Sequence, residues 1–166
     1  MYTLPPIKTV NQLIHILHTG PGYDGYATLL QSIDFGTDAL EKYCTWDKQI
    51  YTKNSIEKIP SFELSVICWE KGQATPVHDH SNQESWFTII EGELTKTVYS
   101  KPDTDMKPLN KTSSNVYKKS EVGYMTDSYG LHKLQNSFEG RTISIHLYSE
   151  SYDSENQFDE QTSKLL

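Results

Sequence analysis

Three histidines stand out for the chemistry they would perform together. His78 and His80 are two apart in the stretch Pro76 to Gly92, PVHDHSNQESWFTIIEG, and His132 follows far downstream. On a strand, side chains two apart project from one face, so a single ion can take both imidazoles of the pair. If His132 joins them, three neutral donors hold the ion and leave coordination positions open. Zn²⁺ so bound lowers the pKa of a water toward about 7 and serves hydrolysis or hydration. Fe²⁺ so bound admits a chelating anionic substrate beside dioxygen, as in non-haem oxygenases. The imidazoles alone do not choose between these ions. Six histidines in 166 residues can also yield an HxH pair by accident. The surroundings argue otherwise: Gly72 lies six residues before His78, Gly92 closes the stretch, and Asn136 stands four past His132.

A second constellation is Ser144, His146 and Tyr148, three polar side chains at every other position of one expected strand. They share a face, and Ile143, Ile145 and Leu147 form the other. On alternation alone the polar row faces water. Inside a barrel that holds a metal, the same row faces the lumen as a hydrogen-bond relay. His15 and His18 form a further pair at helical spacing. No acidic or cysteine partner lies near them in sequence, so a solvated or capping role is expected.

The elements that must position these groups fall into two parts. Residues 1–48 read as helical. Ile7, Val10, Ile14 and Leu17 repeat at helical spacing until Gly20, Pro21 and Gly22 stop the run. Tyr26, Leu29, Leu30 and Ile33 predict a second helix ending near Gly36. A third begins at Thr37 with Asp38 in its first turn and Leu40, Tyr43 and Cys44 as its apolar stripe. Residues 49–150 change to short alternating runs. Strands are expected over Phe62 to Trp69, Trp86 to Ile90, Leu94 to Tyr99, Val122 to Thr126, His132 to Leu134 and Thr142 to Tyr148, with Tyr117 in a further one. Lys101 to Ser114 is polar and irregular and reads as a long loop, and residues 151–166 as a C-terminal tail. Many short, evenly spaced strands mean a sandwich or barrel in one domain, 1–166.

Composition excludes several classes of partner. Eleven tyrosines with only 36% hydrophobic residues favour strands. A net charge of −7 argues against nucleic acid or an anionic membrane as the main partner. No apolar run approaches the roughly 20 residues of a membrane span. The start, MYTLPPIKTV, lacks the basic head and apolar core of a secretion signal. Cys44 and Cys68 build no disulfide framework, so a cytoplasmic protein with free thiols is expected.

The Gly72, His78, His80, Gly92 pattern with His132 and Asn136 resembles the two-part signature of the cupin superfamily. The resemblance implies a mainly β fold, a cupin-type β-barrel (double-stranded β-helix, or jelly roll), here preceded by two or three helices. The usual cupin offers a Glu as fourth ligand, seven residues before the closing Gly. That position is Ser85 here, and Glu84 sits one residue off. A one-residue slip turns a strand side chain to the opposite face, so Glu84 is expected outside the ligand set.

The stretches YTKN, ICW, HDHSNQESW, DSYGLHKLQN and RTISIHLYS together resemble the thiol dioxygenases of the cysteine dioxygenase family, from about Tyr51 to Tyr148. The resemblance implies one Fe²⁺ and oxidation of L-cysteine by O₂ to cysteine sulfinate. It matches His78, His80 and His132 to the metal ligands, and Ser144, His146 and Tyr148 to the relay whose tyrosine points at substrate. Tyr51 matches a tyrosine near the substrate carboxylate. Two positions depart from the mammalian pattern. A Cys cross-linked to the relay tyrosine is replaced by Ser85, so Tyr148 is expected as a free phenol, as is common in bacterial members. The carboxylate-gripping Arg is replaced by Lys53, which keeps the charge and loses the two-pronged grip. Two alternatives stay open: oxidation of another small thiol such as 3-mercaptopropionate, or a cupin whose metal is structural, sensing or hydrolytic.

Overall fold

The structure, a computed structural model, describes residues 4–20, 25–81, 83–102, 107–150 and 155–166. Pro21 and Gly22 of the expected helix stop, Asn82 of the histidine stretch, residues 103–106 of the expected loop and 151–154 of the expected tail lie outside the described residues. Helix α1 (Val10–Thr19) starts where the Thr9 hydroxyl accepts from the Gln12 amide, and it ends at Gly20 with φ 90°. Its stripe of Val10, Leu13 and Leu17 is buried. Helix α2 (Gly25–Gln31) buries Leu29 and Leu30 and stops earlier than expected. Ile33 has left the helix to bridge Ile7 in a short parallel contact. The expected third helix, Thr37–Tyr43, is a 3₁₀ helix with Gly36 at its cap and no side-chain capping bond. Seven residues without a cap make a tight i→i+3 turn rather than a propagated α-helix. Among the described residues, no helix is long and apolar enough to cross a membrane.

Among the described residues ten strands follow: β1 (Thr52–Ile59), β2 (Phe62–Trp69), β3 (Val77–His78), β4 (Ser85–Glu91), β5 (Leu94–Tyr99), β6 (Lys111–Tyr117), β7 (Val122–Met125), β8 (Leu131–Gln135), β9 (Thr142–Tyr148) and β10 (Gln157–Phe158). They form two five-stranded antiparallel sheets, ordered β1-β2-β9-β4-β7 and β10-β3-β8-β5-β6. The expected loop over Lys101 to Ser114 is corrected at its far end, where Lys111 already belongs to β6. That strand is exposed at every position but Tyr117, so it shows no apolar alternation; its backbone pairing with β5 makes it a strand. Part of the expected tail also joins a sheet, as β10 pairs with β3.

Helices and barrel share one core. Val10, Leu13, Leu17, Leu29, Leu30 and Leu40 pack on Phe62, Leu64 and Val66 of β2 and on Ile143, Ile145 and Leu147 of β9. The helices therefore take the apolar face of β9 out of water. A second cluster, with Ile67, Trp69, Phe87, Ile89, Leu94 and Leu134, joins the two sheets from within.

Asn136 pins the end of β8. Fully buried, it donates to the carbonyls of Trp69, Glu70 and Gly140 and accepts from Phe138 N and Thr142 Oγ1. Gly92 (φ 80°) passes so close that an added Cβ would meet Thr142 Oγ1 and Arg141 O. Truncating Asn136 strands several buried carbonyls, at about 1–3 kcal/mol for a lost buried partner. Asn136→Ala is expected to lower unfolding stability by about 3 kcal/mol with an unchanged m-value in denaturant melts. A loss below about 1 kcal/mol would mean that water replaces the amide.

Candidate metal centre and reaction chamber

The β3–β8 pair builds the histidine cluster. His78 and His132 are directly opposite in register, and His80 follows just past the end of β3. The backbone of His80 is fixed by its amide, which donates to Asp127 Oδ1 at 2.8 Å. His132 Nε2 lies 2.9 Å from His78 Nε2 and 2.7 Å from His80 Nε2, and all three rings are buried. These three are the described group whose ligand atoms all lie within 4.8 Å of one another.

Burial holds His80 and His132 neutral. Burial, and then the neighbouring His78, push His80 down to about 2. Burial likewise puts His132 well below its ordinary value, and His146 at about 3. His78 Nδ1 contacts Pro76 O at 3.0 Å, which assigns the proton to Nδ1 and leaves a lone pair on Nε2. A proton on His132 Nε2 could serve only one of its two close nitrogen neighbours well. Lone pairs would then face one another in a dry site, and a cation is the group that satisfies all three. The donor set therefore fits a single metal ion, because ligating imidazoles must be neutral. Glu84 is elsewhere: it is exposed, and its carboxylate takes the hydroxyl of Tyr124.

The polar row of β9 faces inward. Ser144, His146 and Tyr148 are 0%, 4% and 5% exposed, and the apolar alternates lie under the helices. Trp69 Nε1 donates to Ser144 Oγ at 2.9 Å, and Ser144 Oγ is 2.8 Å from His146 Nε2. Phe87 stacks on the His146 ring at 5.6 Å. Tyr148 and His146 line a small cavity of about 40 Å³ together with His78, His80 and His132. Ser144 is not on its wall; it stands behind His146. Ser85 is on the wall, directly across β4–β9 from Tyr148.

The two expected substrate contacts also line the chamber. Tyr51 stacks on Trp69 at 4.8 Å. Lys53 Nζ sits 4.5 Å over the Tyr148 ring. Its charge is engaged: Glu63 Oε1 is 2.8 Å away, and Glu63 is only 5% exposed. Ser65 Oγ donates to that same oxygen, and Lys58 is 3.8 Å from the other. Glu63 went unremarked in the sequence, although alternation on β2 places it with Ser65, Ile67 and Trp69. Arg141 lies outside, clasping Glu70 and covering Trp46. His18 pairs with Glu57 at 3.5 Å, far from the cluster in the fold's helical part.

Comparison with known proteins agrees with this geometry. Solved structures share the fold at low identity. A Klebsiella pneumoniae protein with a double-stranded β-helix domain has TM-score 0.59 and 13% identity over 72% of this chain and 94% of its own. A cupin domain from Schizosaccharomyces pombe has TM-score 0.52 and 18% identity over 67% of this chain and 72% of its own. Among curated proteins, cysteine dioxygenase type 1 of Homo sapiens is 28% identical over 162 residues, 93% of this chain and 81% of that protein. The Mus musculus and Danio rerio proteins of that name are also 28% identical, with the same coverage. The family model for cysteine dioxygenase type I matches residues 5–161. With nearly its whole length matched, the chain belongs to the cysteine dioxygenase type I family.

Proposed function

We propose that this protein is a cytoplasmic, iron(II)-dependent dioxygenase that converts L-cysteine and O₂ to cysteine sulfinate. The observation that carries the reading is the meeting of three buried imidazoles with His146 and Tyr148 of β9 in one chamber. Family membership supports the same reaction. The chemistry balances without an added reductant: the thiolate sulfur gives up four electrons, and both oxygen atoms end on it.

His78, His80 and His132 would hold the iron, which supplies redox chemistry and open coordination positions. The residues of the chain do the rest. Tyr148 presents its phenol at the wall beside the histidines, and its role is to position the reacting groups and meet developing charge. His146 shares that wall, oriented by Ser144 behind it, whose own geometry is set by the Trp69 indole. Lys53 anchors the substrate carboxylate while Glu63 holds its ammonium over the Tyr148 ring. Phe87, Ile67 and Leu134 keep the inner wall apolar and limit water.

Iron-loaded protein is expected to consume dioxygen on addition of L-cysteine and to yield sulfinate in equal amount; no uptake with any small thiol would leave a metal-binding cupin without this activity. Tyr148→Phe should lower kcat about 10- to 100-fold, the range of a lost hydrogen bond to a charged group, with iron content unchanged. Iron loss in that variant would contradict the role assigned to β9. Lys53→Ala should raise KM for cysteine about 10-fold and also destabilise the fold, because Glu63 loses its nearest cation. Pairing Lys53→Met with Glu63→Gln should recover stability without recovering KM.

Acid should release the ion and weaken the fold together. His80, His132 and His146 titrate near 6.5 when unfolded and lower when folded, so below that pH the unfolded chain binds more protons. Stability then falls as pH drops from about 6.5, by up to about 1.4 kcal/mol per pH unit for each ring. Denaturant melts of metal-free protein at pH 7 and pH 5 measure this; equal stability would contradict the neutral-ring assignment.

A further inference from the structure

One carboxylate on the chamber wall has no part in the donor set or in the row of β9. Glu155, just ahead of β10, lines the cavity with Oε2 3.8 Å from His78 Nε2. It is not in the group whose ligand atoms all lie within 4.8 Å of one another, so it stands beside the donor set. Its direction is set, since Oε1 accepts from Gln157 Nε2 at 3.1 Å.

The backbone that carries Glu155 is tied to the metal strand itself. Asp79, between His78 and His80 in sequence, points away from their face and accepts from Asn156 N at 3.1 Å and Asn156 Nδ2 at 3.0 Å. The Asp79 amide donates back to Asn156 O at 3.1 Å. Gln157 is registered opposite His78. Glu155 is thus positioned by the same short strand that presents the imidazoles. Its side chain is 22% exposed, and its charge reaches the chamber: after burial, it is what holds the Tyr51 phenol above its ordinary value.

Among the described residues that line the cavity, Lys53 and Glu155 carry formal charges. Lys53 is already balanced by Glu63. An incoming molecule therefore meets an ammonium paired to Glu63 and a carboxylate beside the metal donors. A primary amine brings N–H donors to that carboxylate. A mercapto acid without an amine brings none, and its own carboxylate gains from Lys53 only in competition with Glu63.

We propose that Glu155 determines specificity by accepting hydrogen bonds from the amine of a small aminothiol, so that the site selects such thiols over deaminated mercapto acids. The inference rests on the thiol dioxygenase reading and narrows its substrate class. It makes 3-mercaptopropionate a poor ligand, since a site built to meet N–H groups rejects the analogue that lacks them.

The test uses the full iron-loaded chain, wild type and Glu155→Gln. Anaerobic calorimetry gives the affinity for L-cysteine and for 3-mercaptopropionate, and oxygen uptake gives kcat and KM for each. Wild type is expected to bind cysteine at least about 10-fold more tightly than 3-mercaptopropionate. Glu155→Gln should weaken cysteine about 10- to 100-fold, the range of a hydrogen bond to a charged group, and leave 3-mercaptopropionate unchanged or tighter, with iron content constant. Gln157→Ala, which keeps the carboxylate and removes the bond that aims it, should shift selectivity less and in the same direction. Equal effects on both thiols, no preference in wild type, or loss of iron from Glu155→Gln would each overturn the proposal. Amine-dependent binding without oxygen uptake would remove the dioxygenase reading and leave the role of Glu155 standing. Uptake without amine dependence would do the reverse.

Discussion

Burial of both faces of β9 is the constraint on which the chamber depends. Ile143, Ile145 and Leu147 lie under the N-terminal helices, and Ser144, His146 and Tyr148 lie between the sheets. A polar row on a barrel strand would ordinarily be wetted. Here the helices occupy the outside, so the row is forced inward and each buried polar atom needs a partner. The Trp69 indole and the Ser144 hydroxyl meet that need in sequence, ending at His146. The same burial strips solvent from His80, His132 and His146 and holds them neutral, the form in which an imidazole donates to a metal. Fold, relay and donor set thus share one cause.

A second theme is compensation of charge within that dry space. A Lys offers one charged prong where an Arg offers two, and here Lys53 comes with a buried carboxylate from β2. Glu63 fixes where the ammonium stands, over the Tyr148 ring. Glu155 sets a second carboxylate on the wall, beside His78. The charged positions of the chamber thus come from β1, β2 and the segment before β10.

The amount legible in the sequence follows from how local each signal is. The histidine pair needed only strand alternation, and α1 needed only the helical spacing of apolar residues such as Val10 and Leu17 with a Gly stop. Which way the β9 row faced could not be read from alternation, because its answer lies in α1 and α2, more than a hundred residues away. Only the end of β6, at Tyr117, was visible, because all the other residues of the strand are exposed and leave no apolar period. Glu155 was hidden in an apparent tail; its place depends on Asp79 capturing Asn156, 77 residues apart. Glu63 was legible in principle, on the inward face of β2, yet nothing local says that a carboxylate there will find Lys53.

The function of the chamber turns on three imidazoles sharing one ion. X-ray absorption on the anaerobic protein loaded with one equivalent of iron(II) per chain measures this directly. The expected result is a single class of bound iron whose scattering requires three imidazole rings and loses them in His132→Ala. Iron bound without imidazole, or no stoichiometric binding at neutral pH, would contradict it.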